Sequence, residues 1–120
     1  MAVKTKQALG ALASLAQETR LAIFRLLVER GPAGLAAGAI AERLGVPDSS
    51  LSFHLAHLTR AGLLVQRRDG RSLVYTADFG AMSGLVAYLT ENCCRESGAS
   101  CGAVACAPAA DAPTRKRSAR

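Results

Sequence analysis

Tryptophan is absent from the 120-residue chain, and three Phe, two Tyr and two His are all that accompany a composition that is 50% apolar. Any core must therefore be assembled from small and aliphatic side chains, and one domain is all that this length supports. Long apolar runs are missing too. A membrane span needs roughly 18 uninterrupted apolar residues, and Arg or Glu breaks every candidate here. The opening MAVKTKQALGALASLAQETR carries two lysines before an Ala- and Leu-rich stretch, but Gln7, Ser14 and the polar QETR fit an amphipathic helix better than a secretory signal. A cytoplasmic location is expected. The chain has no Cys-x-x-Cys, no Cys followed six positions later by Arg, and no base placed beside a nucleophile. These gaps argue against thiol-dependent catalysis, so the chain is not expected to be an enzyme.

What is present is positive charge and a cluster of thiols. The formal charge is +6, about half of it from Arg115, Lys116, Arg117 and Arg120 against Asp111. Such a balance favours an anionic partner, with nucleic acid ahead of membrane. All four cysteines fall between positions 93 and 106. In a reducing compartment this crowding points to metal binding or redox sensing rather than to a disulfide framework.

Apolar spacing predicts a short helix over 8–15 and a second in ETRLAIFRLLVERG, with Leu21, Phe24, Leu27 and Val28 on one face, stopped by Gly31 and Pro32. GLAAGAIAERLG reads as a third helix with Leu35, Ala39, Ile40 and Leu44 inward. A fourth follows VPD, with Leu51, Leu55 and Leu58 as its stripe, Asp48 as its cap and Gly62 as its end. LLVQRR and RSLVYTA then flank Asp69-Gly70 as a two-stranded hairpin. Residues 79–92 return to helical spacing, with Met82, Leu85, Val86 and Leu89 leading toward Cys93.

Two helices across a short turn, followed by a hairpin with Arg on both sides of its tip, make a winged helix-turn-helix. The expected fold is mainly α with a small β-hairpin. In such a unit the second helix enters the major groove and the hairpin lies along the backbone beside it. Ser49, Ser50, Ser52, Phe53 and His57 then face outward, and Arg67, Arg68 and Arg71 flank the wing tip where phosphates lie. His54 and His57 are also spaced for a metal, but with no Cys or carboxylate neighbour that site would be thin.

LAQETRLAIFRLL and IAERLGVPDSSLSFHLAHLTRAGLLVQRRDGRSLVY, within residues 8–92, resemble the ArsR/SmtB family of bacterial metal-sensing repressors. The resemblance implies a homodimer built on the first and last helices, a winged helix on each subunit, and release of double-stranded operator DNA on inducer binding. His54 matches a histidine of the family's recognition helices and joins the DNA-binding set. Phe53 and Asp48 depart from the pattern, standing where relatives often carry Arg or Lys and a neutral amide.

The resemblance also directs the reading of the thiols. Arsenic-sensing relatives with a CVC-like pattern in the third helix would place it at Ala36, Ala37 and Gly38. Zinc-sensing relatives use carboxylates and histidines of the last helix, and residues 78–92 hold Asp78 and Glu91 without a histidine. What remains is Cys93, Cys94 and Cys101, similar to arsenic-responsive members whose ligands follow the last helix. Three thiolates with no nitrogen or oxygen ligand suit arsenic(III) or antimony(III), provided that the helix frays so that adjacent cysteines converge. Thiol-disulfide switching and zinc or cadmium binding are the alternatives, and Cys106 is expected to stand outside the site. The chain thus divides into a DNA-binding and dimerisation domain over 1–92, an inducer-binding segment over 93–106 and a disordered basic tail over 107–120.

Overall fold

A computed structural model describes residues 3–97. The expected inducer ligand Cys101, together with Cys106 and the basic tail, lies outside the described residues. Among these residues five helices and three short strands follow one another in the order α1, α2, β1, α3, α4, β2, β3, α5.

Helix α1 (Thr5–Leu15) begins where the Gln7 side chain accepts a hydrogen bond from the Lys4 amide, three residues ahead of the expected start. It buries Ala8, Ala11 and Ser14, and these small residues let its backbone approach its neighbours closely. Gln17 caps α2 (Glu18–Arg30) by accepting from the Arg20 amide. The inward face of α2 is Ile23, Phe24 and Leu27, whereas Leu21 is exposed, so the stripe is rotated from the expected one.

The largest departure lies at residues 31–36. A single 3-10 turn at Gly31–Ala33 and a left-handed Gly34 lead into β1 (Leu35–Ala36), which pairs antiparallel with Tyr75 and Val74. Leu35 is buried as expected, but from a strand. Helix α3 (Ala37–Leu44) starts only after it, with Ile40 and Ala41 inward. The hairpin is therefore extended to a three-stranded sheet in the order β1-β3-β2.

Helix α4 (Asp48–Arg60) buries Leu51, Leu55 and Leu58 as its spacing requires. Pro47 occupies the cap position and no side chain caps the helix, so Asp48 is its first residue and not its cap. At the other end Gly62 is left-handed, Gly62 N–H donates to Thr59 O and Leu63 N–H donates to Leu58 O. That pair of bonds is a Schellman motif, and it turns the chain directly into β2 (Leu64–Asp69). Strand β3 (Ser72–Ala77) returns with Asp69 opposite Ser72, so the two-residue turn is Gly70-Arg71, one position later than expected. Gly70 alone has a positive φ there, which places glycine at the first turn position.

Asp78 caps α5 (Phe79–Thr90), its carboxylate accepting from the Ala81 amide. The helix ends two residues earlier than expected. Leu85 is buried, Met82 and Val86 are half-buried and Leu89 is exposed. No helix among the described residues is long and apolar enough to cross a membrane.

Candidate nucleic-acid interface and thiol segment

Helices α3 and α4, joined by Gly45–Pro47, form the helix-turn-helix, and β2 and β3 form its wing. Because α4 commits Leu51, Leu55 and Leu58 to the core, helical geometry turns Ser49, Ser52, Phe53, Ala56 and Arg60 outward. All five are exposed, and Ser50 is exposed beside them. Ala56 and Arg60 escaped the sequence reading, although their spacing from Phe53 was the available signal.

His54 and His57 sit apart from that outward group, half-buried on the flank of α4. Arg20 of α2 reaches His54 Nδ1 at 3.3 Å through Nη1, while its Nε donates to the Ser14 carbonyl at 2.7 Å. The fully buried Ser14 hydroxyl meets His57 Nδ1 at 3.0 Å. Burial, then the Arg20 guanidinium, then His57 hold the His54 pKa below its ordinary value. A neutral His54 is also the form that accepts from Arg20. The two histidines thus tie the recognition helix to α1 and α2, and neither Arg20 nor Ser14 was singled out from sequence.

On the wing, Arg67 Nη2 donates to the Ala33 carbonyl at 3.0 Å, which fastens β2 to the turn after α2. Arg68 and Arg71 are exposed at the tip. They make no hydrogen bond among the described residues.

Beyond Thr90 the backbone runs through successive turns to Ser97. Cys93 N–H donates to Thr90 O and Arg95 N–H to Asn92 O, with Asn92 and Cys94 both at φ 61°. Left-handed backbone is uncommon outside glycine, and here it breaks the helical projection of adjacent side chains. Cys93 Sγ and Cys94 Sγ consequently lie 3.5 Å apart, with Cys93 exposed and Cys94 half-buried. Cys93 is disulfide-bonded. Among the described residues no group of three or more metal-ligating side chains assembles.

A helix-turn-helix domain model matches residues 15–67. The chain is 30% identical over 95 residues to the transcriptional activator HlyU of Vibrio cholerae, covering 79% of this chain and 85% of that one. The solved structure of reduced HlyU superposes with a TM-score of 0.58, at 30% identity over 75% of this chain and 92% of that one. An ArsR-like regulator from Rhodococcus superposes with a TM-score of 0.65, at 28% identity over 77% and 83%. The chain belongs to the ArsR/SmtB family.

Another ArsR/SmtB relative, the putative arsenical resistance operon repressor ArsR of Halobacterium salinarum, is 38% identical over 78 residues, 65% of this chain and 60% of that protein. The chain spans 60% to 66% of the length of two curated relatives that it matches. As a member of the family it carries the winged helix-turn-helix found in DNA-binding transcriptional regulators.

Proposed function

We propose that this chain is a homodimeric repressor that holds operator DNA and releases it when arsenic(III) or antimony(III) is captured by Cys93, Cys94 and Cys101. The observation that carries the reading is the position of Cys93 and Cys94 side by side just past the end of α5, where reduction of the Cys93 disulfide would leave two adjacent thiols. Each thiol that bonds to arsenic in arsenous acid releases one water, and three sulfurs complete a pyramidal site without oxygen or nitrogen ligands. The name of the Halobacterium relative supports the inducer class. The homodimer is supported by exposed Leu9 and Leu12 on α1 and Leu89 on α5, apolar surface that a second copy would cover. Drawing the segment after α5 around an ion would act on that helix and so on the relative angle of the two wings. A coupling of about 2 to 3 kcal/mol would weaken operator binding roughly 30- to 150-fold.

A second reading, release by thiol oxidation, is favoured by the disulfide at Cys93 and by the description of one solved relative as reduced HlyU. One experiment separates the two: the reduced protein bound to operator is titrated in parallel with arsenite, zinc and peroxide. Metalloid sensing predicts release by arsenite, and Cys93→Ser or Cys94→Ser should still bind DNA but ignore arsenite. Variants that lose DNA binding, or that arsenite releases in full, contradict the proposal. Release by peroxide alone, reversed by a reductant, assigns the switch to oxidation, and release by zinc assigns it to a divalent ion.

A further inference from the structure

From Asp48 to Thr59, α4 contains no Arg, Lys, Asn or Gln. Those four side chains read guanine and adenine edges through paired hydrogen bonds in the major groove. Asp48 is the single ionised group of that span, and a carboxylate addresses only the cytosine amine. Apart from Arg60 in the last turn, the outward face presents the hydroxyls of Ser49 and Ser52, the methyl of Ala56, and the ring of Phe53, which is 60% exposed. Phe53 is the one large apolar side chain on this face, in a helix that keeps its three leucines inside.

The ring is also held in place. It meets His54 edge-on with centroids 5.6 Å apart and His57 with centroids 6.3 Å apart. Each imidazole is in turn anchored from another helix, His54 by Arg20 and His57 by Ser14. An exposed aromatic positioned by two fixed rings loses little freedom on binding, so it is preorganised for contact. In the major groove the apolar group that distinguishes one base from the others is the 5-methyl of thymine, and phenylalanine is among the side chains that contact it.

We propose that Phe53 is the specificity-determining residue of this recognition helix and reads thymine through its 5-methyl group. The inference rests on the DNA-binding reading above and names the chemistry by which sequence is read. Duplexes bound by the full-length reduced protein are selected from a random pool, and each thymine of the enriched site is then replaced by uracil, which removes only the methyl. At the contacted thymine the exchange should weaken binding about fourfold per half-site, the equivalent of one buried methylene. The same exchange should cost Phe53→Ala less than about 1.5-fold, since its partner group is already gone. Phe53→Leu, smaller but still apolar, should retain part of the methyl sensitivity and serves if the Ala variant does not fold. Wild-type binding that is insensitive to uracil at every thymine, or Phe53→Ala that keeps the full sensitivity, overturns the inference while leaving operator binding intact. Enrichment of no duplex at all would instead overturn operator binding itself, and the inference with it.

Discussion

His54 illustrates how one side chain couples the recognition helix to the rest of the molecule. Burial first, then Arg20 from α2 and His57 from α4 itself lower its pKa below the ordinary value of 6.5, so the folded chain favours the neutral ring. A base with a lowered folded pKa contributes stability that is complete above about pH 6.5 and is lost as pH falls through the folded value. Acidification from pH 7 to 5 should therefore lower the melting temperature, and the curve of His54→Gln should be flatter over the same interval. A variant that tracks the wild type at every pH would remove His54 as a cause. The outward serines and Phe53 were legible in sequence because helical spacing alone separates them from three leucines. The ties from Arg20 to His54 and from Ser14 to His57 were not, since they join positions 34 and 43 residues apart.

At the scale of elements, two glycines with the same backbone sign have different consequences. Gly34, at φ +70°, leads into β1, and a Cβ there would lie 2.6 Å from the Tyr75 carbonyl and 2.6 Å from Thr76 Cγ2. Gly62, at φ +82°, ends α4 and would meet nothing within 4 Å. Gly62→Ala should cost only the left-handed backbone penalty, about 1 to 2 kcal/mol. Gly34→Ala adds a clash with fixed backbone and should cost about 3 kcal/mol or more. Denaturant midpoints of the two variants would compare them directly, and equal losses would refute the close approach. The terminating role of Gly62 was visible in sequence, because a glycine after the last apolar position is a local signal. Strand β1 was not, because two residues have no period to detect and Leu35 satisfied a helical stripe equally well. Its strand state comes from pairing with Tyr75 and Val74, partners about 40 positions away.

For the whole molecule, the apolar surface that remains exposed is as informative as the core. Leu9 is 62% exposed and Leu89 57%, on helices whose Thr5 and Tyr88 hydroxyls are hydrogen-bonded at 2.6 Å. If a second copy covers this face, Leu9→Glu with Leu12→Glu should halve the sedimenting mass. Operator affinity should fall by at least about tenfold, as two linked half-site contacts become one. An unchanged mass would place the dimer contact elsewhere. Wing-tip arginines act on another whole-molecule property, the salt dependence of binding. Each of Arg68→Ala and Arg71→Ala should reduce the slope of log affinity against log salt by about 1 if that guanidinium neutralises a phosphate.

The order of helices, the identity of the recognition helix, the existence of the wing and the crowding of thiols after the last helix were determined by the sequence alone. Each is written in local spacing, in turn residues or in composition, which short-range sterics and solvation act on directly. Tertiary structure decided the third strand, the one-residue shift of the wing turn, the rotation of α2 and the inward tethering of His54 and His57. Those features depend on which distant groups meet once the chain has closed on itself, and a contact between distant residues leaves no periodic trace along the chain.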